Sequence, residues 1–145
     1  MSPQALKVGV IACCGEELPG GTVARVATRL VLEKIRPDNT VTICLPLFLT
    51  GDKNETDFAK VFPTITVDGC DKLCAKNATD KLSGKPTYWI NVTDIKKRHP
   101  EITLKSLDKL TDKEMKMAQE LAEEIATKVD LILEKAAHLE TVDSQ

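Results

Sequence analysis

The chain has 145 residues, of which 42% are hydrophobic and 29% are charged. This length suits one hydrophobic core, so we expect a single domain over residues 1–145, and the ordinary composition excludes a disordered or low-complexity chain. Twenty basic and twenty-two acidic residues give a net charge of -2 without a basic stripe, which argues against nucleic acid as the main partner.

No targeting or membrane signal is visible in the sequence. Residues 1–7 lack a basic start followed by a long apolar run, and no segment approaches the ~20 apolar residues of a membrane span. We therefore expect a cytoplasmic protein that does not engage a membrane. In a reducing compartment five cysteines are not expected to form a disulfide framework, so metal binding or thiol chemistry becomes the leading hypothesis.

Four short apolar runs rich in β-branched residues predict strands. They cover residues 8–12, 41–46, 64–68 and 88–92. Each run is apolar on both faces and is followed by a helix-like or turn-like segment, which is typical of strands buried between helices. The sequence therefore predicts a three-layer α/β domain, Rossmann-like or flavodoxin-like, with a mostly parallel four-stranded sheet.

Helical spacing of apolar residues predicts the helices between these strands. The first is expected over 22–34, and a short one around 57–61 must end before Pro63. A third is expected over 71–82, where Gly84 follows as a stop signal.

The last third of the chain predicts one long helix. Thr111 and Glu114 match a capping box, in which each residue bonds the backbone N–H of the other. This helix is expected to extend to near Leu139, and its apolar stripe is expected to cover the sheet. The stripe consists of Met117, Leu121, Ile125, Val129 and Ile132.

The cysteines follow the predicted strands. Cys13 and Cys14 end the first strand, Cys44 lies near the end of the second, and Cys70 follows the third. Ligands of parallel α/β sheets bind outside the carboxyl ends of the strands, near the point where the strand order reverses. Cys74 lies four residues after Cys70, so both side chains are expected on one side of the following helix.

A zinc site is the favoured use of these thiols. Four thiolates can surround zinc tetrahedrally at ~2.3 Å, and such a closed site suits structural or storage roles better than catalysis. Cys44, between two apolar residues, also fits a buried core cysteine. If it points into the core, Cys14 takes its place, or one position stays open for water or substrate. The predicted ligands are Cys13, Cys44, Cys70 and Cys74.

Other residues add little to this hypothesis. The loop 15–21 lacks the G-x-G-x-x-G order, and its two glutamates would repel an anion. His99 and His138 are not placed beside the thiols, which weakens a mixed Cys and His site and a Cys–His nucleophile pair. Asp71 is expected to cap a helix, and Asp68 either orients a ligand or ends its strand.

The segment 64–77, T-I-T-V-D-G-C-D-K-L-C-A-K-N, resembles the central signature of the DGC-domain family. Matching blocks follow the family's order: I-A-C-C-G at 11–15, T-I-C-L-P at 42–46, T-G-D at 50–52 and G-K-P at 84–86. The resemblance implies a single DGC-type zinc-binding domain with ligands Cys13, Cys44, Cys70 and Cys74. It favours Cys44 as a ligand, although Cys14 stands where the family often has serine, and it implies no reaction.

The sequence thus favours a small cytoplasmic protein that binds zinc, and whether it is an enzyme stays open. One alternative is a thiol or persulfide enzyme or sulfur carrier in which Cys70 or Cys13 attacks a sulfur or selenium species. A second is an iron–sulfur protein, because four thiolates can also hold a cluster. A third is an adaptor whose metal braces a surface for an unidentified protein partner.

Overall fold

The computed structural model describes residues 6–14 and 17–143, with side chains described as far as residue 139. Four strands form one sheet, in the order β2-β1-β3-β4, and every neighbouring pair is parallel. This confirms the predicted α/β fold with a parallel four-stranded sheet. The strands are β1 (Val8–Ala12), β2 (Thr40–Val41), β3 (Thr64–Asp68) and β4 (Tyr88–Asn91).

Helices connect the strands and cover both faces of the sheet. They are α1 (Pro19–Leu30), continued by a π-helical turn (Val31–Ile35), α2 (Leu45–Leu49), α3 (Lys53–Thr56), α4 (Phe58–Val61), α5 (Cys74–Leu82), α6 (Val92–Arg98) and α7 (Asp112–Asp143). Within the described part of the chain, no helix combines the length and apolar character needed to cross a membrane.

Two hydrophobic cores lie on opposite faces of the sheet, because side chains alternate along each strand. Val8 and Val10 pack with α1, α6 and α7. Ile11 faces the other way and packs with residues of α2, α4 and α5. A Cβ at Gly9 would lie 2.3 Å from the Phe58 ring, so this position must be glycine for the ring to pack against β1. The result is the expected three-layer architecture.

The capping box at the start of α7 is confirmed. The Thr111 hydroxyl accepts a hydrogen bond from the Glu114 N–H at 3.2 Å, and the Glu114 carboxylate accepts one from the Thr111 N–H at 3.0 Å. The predicted apolar stripe of α7 is buried in the core beside α1 and the sheet, and consists of Met117, Leu121, Ile125, Val129 and Ile132.

The second strand is much shorter than predicted. β2 ends at Val41. The helix α2 then begins at Leu45, inside the segment that was expected to be a strand. Pro46 favours the helix over a strand at the end of this run, because proline lacks an N–H for a strand ladder but fits the first turn of a helix. Cys44 consequently lies in a connection and not on a strand.

Other helices also differ from the prediction. α1 begins at Pro19, earlier than expected. α5 begins at Cys74 and not at residue 71, because Leu73 has a left-handed backbone conformation that a continuous helix cannot contain. α6 was not predicted, and it begins where the Asn91 side chain accepts a hydrogen bond from the Thr93 N–H at 3.0 Å.

Candidate thiol site

The strand order reverses between β1 and β3. From β1 the chain runs to β2 on one side of it and then crosses back to β3 on the other. The Cys13 N–H donates to the Val67 carbonyl at 3.0 Å, so the pairing of β1 with β3 continues to the first residue of the loop. A crevice outside the carboxyl ends of these two strands is where α/β folds bind ligands.

A cavity of about 300 Å³ occupies this crevice, and we call it the thiol cavity. Four of the five cysteines line it, and they come from the end of β1, the turn after β3 and the start of α5. Most of the remaining lining is apolar, with side chains from Leu18, Leu45 and Leu49. The four thiols are those of Cys13, Cys14, Cys70 and Cys74.

Cys44 takes a different position. Cys44 is exposed and directly precedes α2. The next two residues, Leu45 and Pro46, line the thiol cavity, but Cys44 itself does not. The structure therefore brings together three of the four predicted ligands and adds Cys14, which had been weighed as a substitute for Cys44.

Two glycine segments allow α1 to approach the turn after β3. A Cβ at Gly69 would lie 2.2 Å from the Gly21 nitrogen, and a Cβ at Gly20 would lie 2.1 Å from the Gly69 carbonyl oxygen. Real Cβ atoms do not approach backbone this closely, so any side chain at Gly69 would push the two elements apart. The first turn of α1 thus forms one wall of the thiol cavity by direct backbone contact.

The turn between Cys70 and Cys74 has an unusual backbone. The Leu73 N–H donates to the Cys70 carbonyl at 3.2 Å, and Leu73 has φ 52 and ψ 48. The left-handed region costs a residue with a Cβ roughly 1–2 kcal/mol. Such strain persists where surrounding contacts impose it, and it is concentrated at functional sites.

Side-chain amides hold this turn from outside. The Asn77 amide donates to the Lys72 carbonyl at 3.1 Å, and the Asn91 amide donates to the Asp71 carboxylate at 2.8 Å. Asp71 was expected to cap a helix, but its carboxylate instead accepts this bond from the end of β4.

Asp68 caps α5 from the preceding strand. It is 1% exposed, and its carboxylate accepts hydrogen bonds from the Ala75 N–H at 2.7 Å and the Lys76 N–H at 3.1 Å. Burial raises the pKa of Asp68 above its ordinary value, although these two bonds and the nearby Lys76 charge oppose the rise. The bonds fix the start of α5, and with it the position of Cys74, relative to β3.

Burial also raises the pKa of the Cys13 thiol to about 11. A hydrogen bond from the Gly69 backbone lowers this pKa, and the neighbouring charges of Asp68, Cys14 and Cys70 raise it further. Cys13 is therefore a neutral thiol at physiological pH. This disfavours Cys13 as the attacking thiolate of a thiol enzyme.

The site has the donor chemistry for a thiophilic metal, but its side chains are not in a binding arrangement. Across residues 6–14 and 17–139, no three His, Cys, Asp or Glu side chains lie close enough together to hold a metal ion. His99 contacts Glu120 of α7 at 2.5 Å.

The DGC-domain family model matches residues 9–129, which includes all five cysteines. This confirms the resemblance seen in the segment around Asp68, Gly69 and Cys70. No curated protein and no solved structure matches the chain significantly.

Proposed function

The chain belongs to the DGC-domain family, and from its thiol cavity we propose that it binds one zinc ion through cysteine thiolates. The observation that carries the proposal is the convergence of four thiols, from three separate chain segments, on one cavity at the reversal of strand order. Soft thiolate ligands select zinc, copper(I) or iron–sulfur clusters over hard cations, and tetrahedral thiolate coordination suits zinc.

Three of the four proposed ligands are the thiolates of Cys13, Cys70 and Cys74, whichever cysteine is the fourth. We favour Cys14 as the fourth ligand because it lines the thiol cavity. Cys44 is the alternative that the family resemblance implies, and it is separated from the cavity lining by a single peptide bond to Leu45.

Zinc binding requires the thiols to move towards one another from the positions described above. Rotation about the Cα–Cβ bonds is the smallest such change, and the exposed Cys14 and Cys74 have room for it. Cys13 and Cys70 are half-buried, so they would supply the fixed part of the site. The largely apolar lining lowers the local dielectric constant, which strengthens the attraction between thiolates and a cation.

A site closed by four thiolates leaves no position for a reacting molecule, so the proposed role is structural or metal-carrying. Zinc would join the end of β1 to the turn after β3 and the start of α5. A ligand that binds only the folded state adds about 2.7 kcal/mol to stability at a free concentration of 100 times Kd. Zinc removal should therefore lower the thermal midpoint.

The test is the zinc content of anaerobically purified protein, measured by elemental mass spectrometry. We expect about one zinc per chain in the wild type, and its loss in Cys70→Ser and Cys74→Ser. Cys14→Ser and Cys44→Ser form a matched pair of exposed cysteines, of which only the former should lose zinc. Retention in Cys14→Ser with loss in Cys44→Ser would assign the fourth ligand to Cys44.

Two results would overturn the proposal. A wild-type protein without metal, even after reconstitution with zinc under reducing conditions, would make thiol chemistry the leading function. A brown preparation that contains iron and acid-labile sulfide would instead show that the same thiolates hold an iron–sulfur cluster. Substitution with cobalt(II) adds an independent readout, because thiolate-to-cobalt charge-transfer absorption increases with the number of thiolate ligands.

A further inference from the structure

A second cavity, of about 170 Å³, lies on the other side of Cys13 and Cys14. We call it the arginine cavity, because Arg25 and Arg29 line it together with Thr28 of the same helix. None of the described residues that line it is acidic, whereas Glu17 and Asp68 line the thiol cavity. The two cavities share the two adjacent cysteines but differ in charge.

One face of α1 builds the wall of the arginine cavity. The lining residues Arg25, Thr28 and Arg29 of α1, and Leu32 of the π-helical turn that continues it, follow the spacing i, i+3, i+4, i+7, which places them in one stripe along the helix. One turn earlier on the same stripe, Gly21 lines the thiol cavity. A single helix face therefore runs from one cavity to the other.

The two arginines differ in their partners. The Arg29 guanidinium forms an ion pair with Glu33 of the π-helical turn that follows α1, and its Nε donates to Glu33 Oε1 at 3.1 Å. Arg25 is exposed, and among the residues that the structure describes no acidic side chain pairs with it. Among the described residues, Arg25 thus supplies a positive charge at the cavity that no acidic side chain pairs with.

Thr28 provides an independent indication of a ligand. It is 3% exposed, and its Oγ1 is one of the buried polar atoms without a hydrogen-bond partner in the described part of the chain. A threonine within a helix can donate to the carbonyl four residues earlier, but Thr28 does not do so. Thr28 lines the arginine cavity, although its hydroxyl oxygen itself is almost inaccessible. Buried hydroxyls are normally bonded, so a small rotation of this side chain towards an acceptor ligand in the cavity would supply the partner that the hydroxyl lacks.

We propose that the arginine cavity binds a small anion through the Arg25 guanidinium and the Thr28 hydroxyl. The volume lies below the roughly 300–1,000 Å³ of pockets for drug-sized ligands, so a sulfate-sized oxyanion or the carboxylate of a small molecule is the fitting class. Arginine binds either group through paired N–H donors. The proposal goes beyond the proposed function, because the arginine cavity is separate from the thiol cavity and needs no metal to bind an anion.

The test is isothermal titration of the reduced, metal-free full-length protein with sulfate and with acetate, at constant ionic strength set by chloride. We expect at least one of the two anions to bind, and Arg25→Gln to weaken that binding about tenfold or more. Tighter sulfate would identify an oxyanion site and tighter acetate a carboxylate site, and either supports the proposal.

Thr28→Val separates a binding role from a structural one. It removes the hydroxyl without changing the shape of the side chain, so the unliganded protein should keep or raise its thermal midpoint. Anion affinity should fall about tenfold, because hydrogen bonds to charged groups are among the stronger ones. Arg98→Gln is the matched control, because Arg98 pairs with Glu120 and Glu124 of α7 and lines neither cavity. This variant should bind the anion with wild-type affinity.

Two results would overturn the inference: no binding of either anion by the wild type, or equal affinity in the wild type, Arg25→Gln and Thr28→Val. Because the titration uses metal-free protein, its failure is distinct from failure of the zinc proposal. Arg25→Gln should still contain about one zinc per chain. If the protein contains zinc but its anion binding does not depend on Arg25, only the anion site is rejected. If anion binding depends on Arg25 but the protein takes up no zinc, only the metal site is rejected.

Discussion

Glu114 offers a stability prediction whose magnitude follows from its contacts. It is fully buried, and its carboxylate accepts hydrogen bonds from the Ser106 hydroxyl at 2.6 Å and from the backbone N–H groups of Thr111, Lys105 and Ser106 at 3.0 to 3.2 Å. Burial acts to raise the pKa of Glu114, but the Ser106 hydroxyl and the three N–H groups outweigh it and lower the pKa to about 2.

The fall from 4.5 to about 2 corresponds to about 3 kcal/mol of stability at neutral pH, because each tenfold change in proton affinity is worth about 1.4 kcal/mol. In the folded protein the Glu114 carboxylate stays ionised until the pH falls to about 2, whereas in the unfolded chain it is already protonated below about pH 4.5. Its contribution is therefore complete above pH 4.5, where the unfolded chain is also ionised, and is lost as the pH falls towards 2.

The perturbation is Glu114→Gln, measured by urea denaturation at several pH values between 7 and 2.5. At pH 7 the variant should be less stable than the wild type by about 2–3 kcal/mol, and the difference should shrink towards zero at low pH. Glu123→Gln is the control: this exposed residue of the same helix should change stability by no more than about 0.5 kcal/mol. A difference that stays constant over the whole pH range would refute the assignment to the ionised carboxylate.

Two further substitutions test how the thiol cavity is built. Gly69→Ala places a Cβ 2.2 Å from the Gly21 nitrogen, so we expect urea denaturation to show a free energy of unfolding lower by about 1–3 kcal/mol. Chelator competition should also show weaker zinc binding. Wild-type stability would contradict the close approach. Asp68→Asn removes one of the two hydrogen bonds to the start of α5, because an amide nitrogen cannot accept from the Lys76 N–H. The same assay should show a free energy of unfolding lower by about 1–3 kcal/mol. Unchanged stability would exclude Asp68 as the cap.

The sequence predicted those elements whose cause is local. β1 and β3 have the predicted bounds because each is a continuous run of residues buried on both faces. The start of α7 follows from Thr111 and Glu114, which interact across three residues and need no other part of the chain. The convergence of cysteines at one edge followed from the geometry of parallel strands, which makes the carboxyl ends neighbours.

Features that depend on contacts across space could not be predicted in this way. Leucine has no preference for left-handed backbone, so nothing local indicated that Leu73 would delay the start of α5. Asp68 caps a helix that begins six residues later, which no standard capping pattern describes. The missing partner of Thr28 is visible only once the atoms around its hydroxyl are known.

The three residues at the centre of the family signature have separate physical roles here. Asp68 fixes the start of α5, Gly69 admits the backbone of α1, and Cys70 lines the cavity between them. Only the last would donate to zinc in the proposed site, yet the first two determine where the other thiols lie. Asp68→Asn and Gly69→Ala should therefore reduce zinc affinity while all five thiols remain, whereas Cys70→Ser should abolish it with the fold's stability in the metal-free state nearly unchanged. If all three variants retained wild-type zinc affinity, the signature would serve the fold alone and the metal would have to bind elsewhere.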